Sequence, residues 1–245
     1  MTDAPLLQVD GIGRRFGGFV ALSGVDLTVT AGERIGLIGP NGSGKSTFVN
    51  CLSGALRSDG GSIRFAGREI GALPAHRRAR LGVARSFQLP RPFGSLTILE
   101  NVCIPLLARQ GGRLSETERR RTLLDACAAL EQVGLAGKAA AMPRDLTQVE
   151  LRKLELARAI AQSPKLLLAD EAMAGLSHSE VDEILALLLR LNEDGTAIIM
   201  IEHIMRAVMA FSQRLVVLVA GRKIADGAPR SVLSNPEVER AYLGQ

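Results

Sequence analysis

The chain has 245 residues, of which 47% are hydrophobic and 22% charged, with a net charge of +5. That supports one large α/β domain, or a core carrying a smaller inserted lobe, and excludes a disordered polar chain. No apolar run reaches the roughly 18 residues that span a bilayer, and the opening residues lack the blocks of a signal peptide, so any membrane role is expected to run through a partner.

In chain order, Leu6 to Val9 and Val25 to Val29 read as strands, followed by the short apolar run Arg34 to Ile38. Residues Gly39, Pro40, Asn41, Gly42, Ser43, Gly44, Lys45, Ser46 and Thr47 come next and fit the phosphate-cradling pattern G-x-x-x-x-G-K-[ST]. Glycines let successive N–H groups point inward, Lys45 can reach the β- and γ-phosphates, and the Ser46 hydroxyl can ligate Mg²⁺. Four constrained positions recur by chance in about one chain of this length in a hundred. Here the loop also lies between an apolar strand and the helix-periodic stretch from Ser46 to Leu56, so the pattern is read as nucleoside triphosphate binding.

Ser62 to Phe65 is a further strand after the Gly60-Gly61 turn, and Leu81 to Gln88 another. Thr97 to Gln110 reads as a helix interrupted by Pro105, Ser115 to Val133 as a charged amphipathic helix, and Gln148 to Ala161 as a helix ending before Pro164. Strand-like runs resume at Leu166–Ala169, Ala197–Ile201 and Leu215–Val219. A helical lobe over 90–162 is therefore expected within an α/β core formed by 1–89 and 163–228, with a helical extension over 229–245. The basic clusters His76-Arg77-Arg78-Ala79-Arg80 and Arg119-Arg120-Arg121 are read as solvated faces, with attraction to anionic lipid or nucleic acid as the alternative. Aromatic residues are only 3% of the chain, so the core is expected from Leu, Ile, Val and Ala, and nucleic acid is not expected as a partner. Cys51, Cys103 and Cys127 are widely spaced, which suggests neither a disulfide framework nor a zinc site and fits a reducing cytoplasm.

Lys165 to Glu171 is an apolar strand ending in two carboxylates. Ligands of open α/β sheets bind beyond the carboxyl ends of strands, so Asp170 can hold Mg²⁺ and Glu171 can deprotonate an attacking water. Read without the P-loop, the same pair merely caps the next helix. His203 follows the strand Ala197–Ile201 and is either structural or a hydrogen-bond partner of the γ-phosphate or the attacking water. Gln88 ends its strand just before the helical lobe and is either a surface residue or a ligand of Mg²⁺ or water that reports nucleotide state.

Together these segments resemble the ATPase subunits of ABC transporters over nearly the full length. Gly39–Thr47 is similar to Walker A and Lys165–Glu171 to Walker B, Gln88 matches the Q-loop and His203 the H-loop. The resemblance implies a P-loop NTPase (RecA-like) core with an N-terminal antiparallel β subdomain and an inserted helical subdomain. It implies that Phe16 stacks on adenine, that Glu171, His203 and Gln88 act in catalysis, and that ATP and Mg²⁺ are bound. Phe16–Leu22, Ala84–Gln88, Ile201–His203 and the ending Asn235–Gly244 resemble the ATPases of branched-chain (hydrophobic) amino acid importers, a group that also serves urea and short amides, and most of all the larger of that system's two ATPases.

One segment and two single positions depart from the family pattern. Leu146-Thr147-Gln148-Val149-Glu150 stands where the family has Leu-Ser-Gly-Gly-Gln, a motif read in trans across a head-to-tail dimer. Thr147 keeps a hydroxyl for a γ-phosphate, Val149 replaces a glycine, and Glu150 brings a carboxylate toward a polyanion. The same residues also form a capping box, which is a purely structural role. Ala172 replaces a common Pro and Ser177 a common Asp. The resemblance implies transmembrane permease subunits, a second and different ATPase subunit, an indirect role for a periplasmic-type binding protein, and a peripheral cytoplasmic location. A weakly active regulatory subunit and another class of P-loop NTPase remain the alternatives.

Overall fold

A computed structural model describes residues 4–86, 90–110 and 114–243. Its elements in order are β1 (Leu7–Phe16), β2 (Phe19–Val29), β3 (Arg34–Ile38), α1 (Lys45–Ser53), β4 (Gly60–Phe65), β5 (Arg68–Glu69), α2 (Ala75–Leu81), β6 (Val83–Ser86), α3 (Ile98–Gln110) and α4 (Glu116–Gln132). These are followed by α5 (Gln148–Ile160), β7 (Leu166–Asp170), α6 (His178–Glu193), β8 (Ala197–Ile201), α7 (Met205–Phe211), β9 (Arg214–Val219), β10 (Arg222–Gly227), α8 (Pro229–Leu233) and α9 (Pro236–Leu243).

Two sheets organise the chain. The first is antiparallel with order β2-β1-β4-β5, and the second has order β10-β9-β3-β8-β7-β6. In the second sheet every pairing except β10 with β9 is parallel. Its central strands are buried on both faces, which explains their unbroken apolar runs. Alternate residues feed two cores, as a side-chain period of two requires. Leu37, Leu168, Ile199 and Val216 pack with α1 and the antiparallel sheet, whereas Ile38, Leu167, Ile198 and Val217 pack with the helices from α3 to α7. No helix among the described residues is long and apolar enough to cross a membrane.

The structure departs from the sequence reading in four places. Leu81, the predicted start of a strand, instead ends α2, and among the described residues β6 covers Val83–Ser86. Helix α3 runs unbroken through Pro105. Phe48, Phe65 and Phe211 are fully buried, so the core does contain aromatic rings. Arg78 is 1% exposed and donates to the carbonyls of Cys51, Leu52, Gly71 and Leu73. Its cation therefore satisfies the orphan carbonyls at the end of α1, where the helix dipole favours positive charge, and the 76–80 cluster is not simply a solvated face. The Arg119–Arg121 cluster is exposed on α4, as read. Cys51, Cys103 and Cys127 are free thiols.

Candidate functional site at the carboxyl rim of the parallel sheet

The pairing of Leu37 and Asp170 with Ile201, and of Ile38 with Val217, brings the carboxyl ends of β3, β7, β8 and β9 to one rim. The chain leaves β3 through Gly39 and enters α1 through Gly44, whose φ of 101° is a left-handed conformation that glycine adopts without strain. The loop leaves no room for larger residues. A Cβ on Gly39 would lie 2.1 Å from the Leu218 carbonyl oxygen, and one on Gly44 would lie 2.6 Å from that of Ala21. The turn between β9 and β10 braces the loop, because Gly221 donates its N–H to the Ser43 carbonyl at 2.9 Å. No side chain caps α1, so its first N–H groups and its positive dipole end remain for an anion.

Lys45 opens α1 at 6% exposure, with Nζ donating to the carbonyls of Gly39 at 2.6 Å and Pro40 at 3.1 Å. Burial pushes its pKa below the usual lysine value, while the nearby Glu171 and Asp170 carboxylates oppose the shift. The Ser43 hydroxyl is buried without a hydrogen-bond partner, as expected of a group waiting for a ligand. Asn41 to Thr47, Phe19, Ala21, Glu171 and His203 line a cleft of about 220 Å³ over this loop.

Glu171 has a φ of 47°, a strained value for a non-glycine residue, and its N–H donates to the Ile201 carbonyl at 2.9 Å. Its Oε1 lies 3.3 Å from His203 Nε2, which ties the end of β7 to the end of β8. Asp170 is nearly buried and its Oδ2 accepts from Arg85 at 2.7 Å. Phe16 is exposed at the tip of the β1–β2 hairpin, paired with Phe19 and covered by the Arg14 guanidinium. It does not line the cleft; Phe19 does. Thr147 stands apart as the N-cap of α5, and Gln88 lies outside the described residues.

The sequence reading missed Glu202. This carboxylate is 3% exposed and accepts from the Met173 N–H at 2.9 Å, which anchors the segment that follows Glu171. Arg152 of α5 holds the same segment by donating to the Ala174 carbonyl at 3.1 Å. Burial raises the Glu202 pKa from 4.5 to about 7, with Glu171 adding to the rise, while N–H groups of Met173 and His203 and the charge of Arg152 oppose it. Between about pH 4.5 and 7 the folded protein therefore keeps a proton that the unfolded chain has released, and folding stability falls as pH rises through that window. Glu202→Gln is expected to remove this slope, so thermal unfolding scans from pH 4 to 8.5 should show the variant gaining on the wild type up to about pH 7 and holding that lead above it. A constant difference across the range would contradict the assignment.

The family model for ABC transporters matches residues 22–174, from β2 to just past Glu171. The chain belongs to the ABC transporter family. It is 39% identical to the high-affinity branched-chain amino acid transport ATP-binding protein BraF of Pseudomonas aeruginosa, over 98% of both chains. A nucleotide-free ATP-binding cassette from an ABC transporter matches with a TM-score of 0.88 and 29% identity, covering 99% of this chain and all of that one. A dimeric ATP-binding cassette bound to ADP and Pi matches with a TM-score of 0.78 and 26% identity, over 91% of this chain and 98% of that one. As an ABC ATPase the chain binds ATP and couples its hydrolysis to transport.

The donor set fits Mg²⁺ as this ABC ATPase would use it. Ser46 lines the cleft and Asp170, held by Arg85, ends β7 on the same rim, so the oxygens there are a hydroxyl and a carboxylate, the hard donors that Mg²⁺ takes. Mg²⁺ commonly takes one or two protein oxygens and completes its shell with phosphates and water.

Proposed function

We propose that this chain powers an importer of branched-chain or other hydrophobic amino acids or related amides, sitting on the cytoplasmic face of the membrane against permease subunits. The observation that carries the proposal is the meeting of Lys45, Glu171 and His203 around one cleft at the strand rim. In this reading the loop Gly39–Thr47 cradles the phosphates, Phe16 stacks on adenine, and Ser46, Asp170 and Gln88 hold Mg²⁺. Mg²⁺, when bound, neutralises charge on the transferring phosphate. Glu171 takes the proton of the attacking water, and His203, 3.3 Å from its carboxylate, orients that carboxylate and reaches toward the γ-phosphate. The cargo follows from what BraF is named for, together with full-length similarity.

Two ATPase subunits close on each other, with Thr147 of one facing the nucleotide of the other. The dimeric cassette supports this arrangement, and the altered Leu146–Glu150 favours a second subunit that is not a copy of this one. The same segment also supports a second reading, a nucleotide-binding regulatory subunit with weak turnover. Proteoliposomes reconstituted from this chain, the ATPase and permeases encoded beside it and their binding protein are expected to accumulate leucine, isoleucine or valine when ATP is supplied. Failure to accumulate any hydrophobic amino acid or amide would overturn the cargo, and uptake that persists when this chain cannot hydrolyse ATP would favour the regulatory reading.

A further inference from the structure

Arg85 sits on β6 opposite Leu168 of β7, two residues before Asp170. One arm of its guanidinium, Nη2, donates to Asp170 Oδ2 at 2.7 Å, and the other, Nη1, to Asn50 Oδ1 at 2.6 Å, with Ser53 Oγ 3.4 Å away. Arg85 and Asp170 are 12% and 8% exposed, so the pair is poorly screened. Asn50 lies four residues after Ser46 in α1, hence on the same face and one turn further along. The bridge Asn50–Arg85–Asp170 therefore connects the helix that carries the Ser46 hydroxyl to the strand that carries the Asp170 carboxylate.

We propose that Arg85 is a positioning residue that sets the separation and orientation of Ser46 and Asp170 for the metal–nucleotide complex. The inference rests on the proposed Mg²⁺ and ATP site. A planar fork with fixed donor geometry serves two acceptors at once, whereas a lysine ammonium keeps the charge without fixing the angle between them. A divalent ion that demands near-octahedral geometry responds to such small displacements of its ligands. Removing the cation altogether leaves a nearly buried carboxylate uncompensated, so the informative variants keep the charge or approach the bridge from its neutral end.

The test is the affinity of the full-length chain for a fluorescent ATP analogue, measured in Mg²⁺ and again in EDTA, with thermal unfolding as a check of folding. In the wild type Mg²⁺ should tighten binding. Arg85→Lys and Asn50→Ala should each keep the EDTA affinity within about twofold and lose about tenfold of the Mg²⁺ enhancement, and neither should add to the effect of Asp170→Asn. Equal weakening in Mg²⁺ and EDTA would show a merely structural role, and an unchanged enhancement in both variants would overturn the positioning role directly. A wild-type chain that binds no nucleotide in either condition would instead overturn the nucleotide-site reading, and with it the role of Arg85.

Discussion

Replacing Glu171 with Gln is expected to cut ATP turnover by about 100- to 1000-fold while leaving ATP affinity within about threefold of the wild type. General-base catalysis contributes a factor on the order of 10² to 10⁴, and Gln cannot accept the proton. Geometry should survive the change, because the Glu171 N–H donates to the Ile201 carbonyl, the residue holds a φ of 47°, and Gln has the same shape and keeps an oxygen to face His203. A non-glycine residue in that conformation costs about 1–3 kcal/mol, a cost tolerated where the side chain must point at a reacting group. Removing a carboxylate from beside the phosphates also relieves like-charge repulsion, so binding has no reason to weaken. Phosphate release measures the first effect and equilibrium nucleotide binding the second. ATP-loaded assemblies with the partner ATPase should accumulate and be visible by light scattering. Turnover within tenfold of the wild type would remove Glu171 from the role of base.

The parts of the site legible in the sequence were those whose signal is local. The phosphate loop announces itself because Gly39, Gly44 and Lys45 answer to backbone geometry and charge within nine residues, and β7 and β8 do so because strands buried on both faces must be continuously apolar. The missed features depend on partners far along the chain. Arg85 reads as one more basic residue until its acceptors appear 35 positions before it and 85 after it. Arg78 reads as solvated until it meets the carbonyl of Cys51, 27 positions away. Glu202 is hidden beside His203 in the sequence, and its burial and its contact with Met173 exist only once β7 and β8 lie side by side. The hairpin at Phe16 and Phe19 presents two aromatic rings where the sequence reading selected one.

The altered segment Leu146–Glu150 gives the other large effect: Val149→Gly is expected to raise ATP-driven self-association and ATPase activity of this chain alone by about tenfold, whereas Glu150→Gln should change either by less than threefold. The sequence suggested that Glu150 repels a facing polyphosphate, but the structure shows where that charge goes. Its Oε1 lies 2.6 Å from Lys138 Nζ, and its Oε2 accepts from the Thr147 N–H at 2.9 Å within a capping box at the start of α5. Lys138 first, and then that N–H, hold the carboxyl below the usual glutamate range. An unpaired carboxylate about 5 Å from a phosphate charge would cost about 3 kcal/mol at an effective dielectric near 20, but a cation in contact cancels most of it. What remains are the side chains of Gln148 and Val149, at the two positions where the family pattern has glycine, and of these the branched Val149 is expected to restrict backbone approach more. The substitution also removes partly buried apolar contact and adds glycine to a helix, so a loss of about 1 kcal/mol in stability should accompany the gain. Lys138→Ala supplies the counter-test, because it exposes the Glu150 charge and should weaken ATP-dependent pairing below that of the wild type. If Glu150→Gln alone produced the full gain, electrostatics rather than the Val149 side chain would be the barrier, and the neutralising role of Lys138 would be wrong.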